Sequence, residues 1–343
     1  MRNRAAVGVR DNDRVSVDPL PVALDVDTGI DDACALLLAA LHPALDLRAV
    51  TCVGGNAPLA DVVRNTLTVV ETAASVTDVY AAVAAGADRP LLETPVDARH
   101  VHGDDGMGDL GLPGPVGEPA AYHAVELLRK TTVTCAAEGR PLTLVPLAPM
   151  TNVALFARTH PEAFARLGRV VFMGGGAQVS NATAAAEFNV FHDPEAAAIV
   201  LDACATLGVP VTMYGLDVFY APTVTRTAGR ALVASGTAVG RLAGGLIEFA
   251  CRRFGAEEAT IGDAGAVASL VVPDAVRTER LPVRIELSGT WTRGRTIVDT
   301  RGDGVDLTHD PHGLAPALID VCLGIDGAAV AALWLSTIAG EWS

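Results

Sequence analysis

Short apolar runs alternate along the chain with longer stretches in which apolar positions recur every three or four residues. Residues 22–26, 47–53, 78–83, 142–147, 169–174 and 209–215 have the length and near-continuous hydrophobicity of strands buried on both faces. Between them, residues 33–41, 59–73, 120–137, 150–158 and 194–204 carry a helical period. This alternation predicts an α/β fold, a mostly parallel central sheet flanked by helices. The pattern loosens after residue 215, where 242–254 reads as a helix and 284–299 as a hairpin turning near Arg293-Gly294. No internal repeat or low-complexity linker divides the chain, so residues 21–343 are expected to form one domain behind a polar arm, residues 1–20. In open parallel sheets ligands bind beyond the carboxyl ends of the strands. The polar motifs below all fall at such ends.

Composition narrows the partners. The chain has 343 residues, half of them hydrophobic, enough for a sizeable core. It carries 25 Lys+Arg against 40 Asp+Glu, a formal charge of −15. Such a surface repels a phosphate backbone, so nucleic acid is not expected as a partner. Lys130 is the only lysine. The six cysteines are scattered through mostly apolar runs without a C-x-x-C pair, which predicts small buried hydrophobes in a reducing compartment. The polar start lacks the apolar run of a signal peptide, and no stretch reaches the roughly 20 apolar residues that span a bilayer. A cytoplasmic protein without membrane association is therefore expected.

The sharpest local feature is Asp25-Val26-Asp27-Thr28-Gly29-Ile30-Asp31-Asp32, which follows a buried strand and precedes a helix. One or two aspartates suit a helix N-terminus. Four at close quarters repel one another and raise one another's pKa values unless a cation neutralises them. Hard oxygen donors at this density suit Ca²⁺ or Mg²⁺ rather than zinc. A D-x-D start after a first strand also resembles haloacid-dehalogenase-type phosphohydrolases. Here, however, Gly29 stands at the fifth motif position, and Lys130, the only candidate for their phosphate-side lysine, lies on a helix well before its next strand.

Asp25-x-Asp27-x-Gly29-x-Asp31-Asp32-Ala33 resembles the signature of the inosine–uridine-preferring nucleoside hydrolase family. Further segments follow in the family's order: Gly54-Gly55-Asn56; His102-Gly103 with Gly106-Met107-Gly108; Pro146 to Asn152; Met173 to Gly176; Asn181 with Glu187-Phe188-Asn189; Asp193-Pro194-Glu195-Ala196; and Arg293 to Asp299. The resemblance covers residues 22 to about 338. It implies a Rossmann-like nucleoside hydrolase fold and Ca²⁺-dependent hydrolysis of the N-glycosidic bond of ribonucleosides. It also implies that Asp27, Asp32, the Leu147 carbonyl and Asp263 ligate Ca²⁺, with Asp27 activating the attacking water. Asp31, Asn56, Met173, Asn181, Glu187 and Asn189 would then hold the ribose, and the protein would assemble as a homodimer or homotetramer. Asn152 reads as a helix-start stabiliser, Asp193 as the N-cap before Pro194, and Asp299 as structural.

One position departs from the family. Many members carry a histidine directly before the late metal-ligating aspartate, where it protonates the departing base; here that residue is Gly262. Leaving-group protonation is commonly worth about 10²–10⁴-fold. Three readings follow: another acid such as His102, Glu257, Glu258, His309 or His312; a base that leaves without an acid; or room for a bulkier base. Tyr220, Phe249, Phe254 and Trp291 are candidates for the base-side wall. Two further readings remain beside the ribonucleoside hydrolase: a Ca²⁺-bound ribose-binding protein without catalysis, and a hydrolase of another N-riboside such as nicotinamide riboside.

Overall fold

A computed structural model describes residues 18–77, 80–301 and 316–341. The strands are β1 (Leu20–Val26), β2 (Leu45–Cys52), β3 (Ala82–Ala85), β4 (Thr143–Pro146), β5 (Arg169–Met173), β6 (Val211–Tyr214), β7 (Thr223–Thr225), β8 (Glu258–Thr260), β9 (Val276–Ile285), β10 (Thr296–Val298) and β11 (Ala317–Ile325). Nine of them form one sheet in the order β3-β2-β1-β4-β5-β6-β11-β9-β10, while β7 and β8 pair separately. The sheet is parallel from β3 through β11 and antiparallel at β9 and β10. The α/β architecture read from the hydrophobic pattern is thus the observed one.

Alternation along β1 explains why the sheet is covered on both faces. Val22, Leu24 and Val26 enter one core and Ala23 the other, all fully buried. On the first face the helix Ile30–Leu41 is wedged between the sheet and the helices Leu59–Ala74, Asp263–Ala268 and Gly327–Ala339. It is apolar nearly all round because it has neighbours nearly all round. Trp334 locks the last of these helices down by donating its indole N–H to the Cys34 carbonyl at 2.9 Å. The opposite face holds the helices Ala124–Ala137, Thr151–Thr159 and Pro194–Leu207.

The third strand occupies 82–85 rather than 78–83, and residues 78–79 of that expectation lie outside the described residues. The helix expected from residue 120 begins at Ala124, capped by His123. Ala120 is instead drawn to the β3 edge, donating to the Val83 carbonyl at 2.7 Å. The helix expected over 242–254 starts earlier, at Ala238, because the Thr237 hydroxyl caps it. The late hairpin is present: β9 and β10 pair Ile285 with Thr296, and Gly294 supplies a left-handed residue in its turn. All six cysteines are buried and unpaired. No helix of the described residues is long and apolar enough to cross a membrane. Most of the expected arm, residues 1–17, lies outside the described residues.

The strand order reverses between β1 and β4. In a doubly wound sheet the usual place for a ligand is beyond the strand ends at such a reversal.

Candidate active site

The chain leaves β1 carrying two carboxylates with different surroundings. Asp25 is tied inward: its Oδ1 accepts from the Thr51 hydroxyl at 2.6 Å and the Asn152 amide at 2.8 Å. Burial still pushes its pKa up to about 7, against the lowering effect of those two donors. Asn152 also donates to the Cys52 carbonyl and accepts from the Ala87 N–H, so it stitches three strand ends together beneath the site. Asp25 therefore stands apart from the acidic cluster in which the sequence pattern alone had grouped it.

Asp27 points the other way. Its Oδ2 accepts from the Asn56 N–H at 2.7 Å and its Oδ1 from the Asn56 amide at 3.0 Å. The backbone of Gly55 runs so close to this carboxylate that a methyl group at residue 55 would overlap it. Asp32 occupies the third position of the helix Ile30–Leu41 and accepts from the Gly29 N–H at 2.9 Å and, more weakly, the Asp27 N–H at 3.3 Å. The Asn56 amide reaches it at 3.2 Å and so links Asp27 to Asp32. Asp263 comes from far along the chain, as the first residue of the helix Asp263–Ala268.

Asp31, Asp32 and Asp263 each present a carboxylate oxygen within 4.8 Å of the others. Asp31 Oδ1 is buried and has no hydrogen-bond partner. Burial, then the neighbouring carboxylates, hold Asp27 and Asp263 well above the usual carboxylate range, and Asp32 rises to about 7. Among the described residues the basic group nearest this cluster is His102, whose Nδ1 lies 3.9 Å from Asp31. That nitrogen accepts from the Ile30 N–H at 3.2 Å, so the neutral ring carries its proton on Nε2. Burial lowers the His102 pKa further. Among the described residues the cluster therefore has no positive partner. A set of buried carboxylates with an unpartnered oxygen aimed inward fits a hard divalent cation.

Across the site, the Leu147 carbonyl sits just past β4 and accepts from the Asn189 amide at 2.8 Å. The same amide contacts the Met173 carbonyl at 3.2 Å and its sulfur at 3.3 Å. Glu187 is the N-cap of the helix Phe188–His192. Its Oε2 accepts from the Gly175 and Val190 N–H groups and its Oε1 from the Asn189 N–H, at 2.7–3.0 Å. Burial raises its pKa to about 7 despite these three donors. Asn181 is exposed at the rim and accepts from the Phe188 N–H at 2.9 Å. Asp193 caps the next helix, as expected, accepting from the Ala196 N–H at 3.0 Å.

The structure thus gathers Asp27, Asp31, Asp32, Asn56, His102 and Asp263 on one side, and Leu147, Met173, Glu187 and Asn189 on the other, with Asn181 at the rim. It does not bring in every base-side candidate. Trp291 and Phe254 are 87% and 63% exposed, Phe249 packs toward Gly108, and Glu258 binds the Thr223 hydroxyl at 2.7 Å on the exposed β7–β8 ribbon. His309 and His312 lie outside the described residues. Lys130 stacks over the Tyr122 ring at 4.1 Å, beside Glu126 and away from the acidic cluster, so it serves no phosphate site there. A residue that the sequence pattern missed is Phe219, the last residue of the short helix Leu216–Phe219 after β6, whose ring lies against Gly262. Its place beyond the end of a central strand was the available signal.

Residues 22–332 match the family described as inosine-uridine preferring nucleoside hydrolase. The chain is 38% identical over 285 residues to the pyrimidine-specific ribonucleoside hydrolase RihA of Escherichia coli O81 (strain ED1a), covering 82% of this chain and 88% of that protein. Among solved structures, it superposes on the plant nucleoside hydrolase PpNRh1 with a TM-score of 0.82 at 26% identity, over 93% of this chain and 99% of that one. It superposes on a purine-preferring ribonucleoside hydrolase from Gardnerella vaginalis with a TM-score of 0.81 at 27% identity, over 94% and 98% of the two chains.

Proposed function

The chain belongs to the inosine–uridine-preferring nucleoside hydrolase family, and from that premise we propose that it hydrolyses the N-glycosidic bond of ribonucleosides at a Ca²⁺ site formed by Asp27, Asp32, Asp263 and the Leu147 carbonyl. The observation that supports this reading is the convergence of the Asp31, Asp32 and Asp263 carboxylates from both ends of the chain, with Asp27 linked to Asp32 through the Asn56 amide and, among the described residues, only the neutral His102 beside them. Bound there, Ca²⁺ would supply Lewis acidity toward water and oxygen coordination for the ribose diol.

The chain's own groups account for the rest. Asp27, held by both donors of Asn56, accepts a proton from the attacking water. Asp31, with its unpartnered oxygen, and Asn56 take the 2′-hydroxyl side. Asn189, fixed by Leu147 and Met173, takes the 3′-side, and Met173 packs beneath the sugar. Glu187 and Asn181 take the 5′-hydroxyl. Positioning of this kind turns a bimolecular attack into a local one. His102 orders the start of the helix that carries Asp31 and Asp32. Self-association into a homodimer or homotetramer in the cytoplasm belongs to the same proposal, with sedimentation as its check for assembly.

Gly262 favours a second substrate class on the same machinery, N-ribosides such as nicotinamide riboside, whose base departs neutral without an acid. The test is ribose release from a panel of nucleosides and nicotinamide riboside. We expect turnover that EGTA abolishes, that Ca²⁺ restores, and that Asp27→Ala lowers by about 10³-fold. Turnover indifferent to chelation overturns the reading. Tight nucleoside binding without any release would point instead to a ribose-binding protein.

A further inference from the structure

The converging carboxylates are not held alike. Asp27 and Asp32 accept hydrogen bonds from Asn56 and Gly29. Among the described residues no donor reaches the Asp263 carboxylate. Its place is therefore set by the backbone that carries it, the first turn of the helix Asp263–Ala268. That backbone is gripped by one stretch of chain, residues 214–222.

Tyr214, the last residue of β6, is fully buried, and its hydroxyl ends against Gly265, where a methyl group would overlap it. Phe219 closes the short helix Leu216–Phe219 and lays its ring on Gly262, where a methyl group would also overlap it. The two glycines bracket Asp263, one residue before it and two after. Without side chains they let the hydroxyl and the ring press on the main chain itself. Thr260 ties the same two segments by hydrogen bonds. Its hydroxyl lies 3.0 Å from the Phe219 carbonyl and 3.2 Å from the Pro222 carbonyl, and accepts from the Gly262 N–H at 3.1 Å. The Ile261 N–H donates to the Pro222 carbonyl at 3.1 Å.

We propose that Tyr214, Phe219 and Thr260 are positioning residues for Asp263. Together they fix the start of its helix so that its carboxylate meets those of Asp31 and Asp32 at the Ca²⁺ site. This rests on the hydrolase reading and deepens it, by naming what sets the late ligand in place. Carboxylates within 4.8 Å of one another push apart until a cation arrives, and the grip opposes that movement. A close-packed interior yields little, so a backbone pressed on two rings has little room to shift. A ligand fixed beforehand loses less freedom when the ion binds, and the ion is held more tightly. None of the three residues needs to touch the ion for this.

The experiment measures Ca²⁺ affinity by titration calorimetry on EGTA-stripped protein, beside the melting temperature of the same stripped protein. Thr260→Val keeps the side-chain shape and removes the hydroxyl, whereas Thr260→Ser keeps the hydroxyl. Gly265→Ala sets a methyl group against Tyr214, and Phe219→Ala removes the ring from Gly262. We expect Thr260→Val, Gly265→Ala and Phe219→Ala each to weaken Ca²⁺ binding by about tenfold, and Thr260→Ser to stay within about threefold of wild type. Phe164→Leu, in the core on the opposite face of the sheet, serves as the control. It should lower the melting temperature and leave Ca²⁺ affinity within about twofold. Unchanged affinity in Thr260→Val or Gly265→Ala overturns the proposal. So does an equal loss of affinity in Phe164→Leu, which would make the effect one of general stability. Wild type that binds no Ca²⁺ sinks the Ca²⁺ site itself, and this proposal with it.

Discussion

On the polar side of the site, which we propose holds the sugar, nearly every side chain is held by a neighbour: Asp27 by Asn56, Asp32 by Gly29, Glu187 by three backbone N–H groups, Asn189 by Leu147 and Met173. On the Gly262 side the contacts are aromatic and sparse, the Phe219 ring against Gly262 and the Tyr220 ring edge to face with it. The two halves also come from different stretches of the chain. The polar half, proposed to hold the sugar, draws on the ends of β1, β2, β4 and β5 and on the helix after β8. The aromatic pair draws on the end of the short helix Leu216–Phe219 after β6. Two of the similar proteins differ in the nucleosides they are named for, one pyrimidine and the other purine.

The comparison is broken most severely through the sugar. If the polar half is a cradle that reads hydroxyls, kcat/KM for 2′-deoxyadenosine should fall below that for adenosine by about 10²–10⁴-fold, because Asp31 and Asn56 lose their partner. Equal turnover would remove the cradle from the argument. A smaller effect tests rigidity. Gly55→Ala should destabilise the protein by about 1–3 kcal/mol in chemical denaturation and lower kcat, since the new methyl group displaces the Asp27 carboxylate. Unaltered stability would show that this backbone yields.

Next comes Glu187. Its pKa stands near 7 in the folded chain against an ordinary 4.5, so folded protein holds a proton that unfolded protein has released across that interval. The stability this group contributes is therefore fully present below pH 4.5 and is lost as pH rises through about 7. Between pH 5 and pH 8, wild type should lose more than about 1 kcal/mol relative to Glu187→Gln in denaturant titrations. Parallel pH profiles would contradict it. The smallest effect belongs to the exposed hairpin. Trp291→Ala should leave stability within about 0.5 kcal/mol and base preference unchanged. A shift in base preference would place the base-side wall at the hairpin.

The sequence made the sheet legible because strands buried on both faces must be mostly apolar, as β1, β4 and β5 are apart from Asp25, Thr143 and Arg169. It made the polar residues that gather at the proposed site legible because their motifs are local, most within a few residues of a strand end. Two things escaped. Asp25 and Asp27 look alike in the chain, and only the positions of Thr51 and Asn152 separate the inward-tied carboxylate from the open one. The packing of Phe219 on Gly262 joins residues far apart in sequence, and a glycine reads as an absence until the ring that fills it is seen. The short β7–β8 ribbon is three residues a strand, too brief to show a period.

The carboxylates that converge are supplied by residues 31, 32 and 263, so the site joins an early turn to a late helix. A chain still emerging from the ribosome holds the first two long before the third exists. Closing so wide a span is slow and depends on the intervening strands having paired. Recovery of divalent-ion affinity during refolding should therefore be a late event, timed by the docking of the helix Asp263–Ala268 against Ile30–Leu41, and it would report the completed fold more faithfully than helix content does.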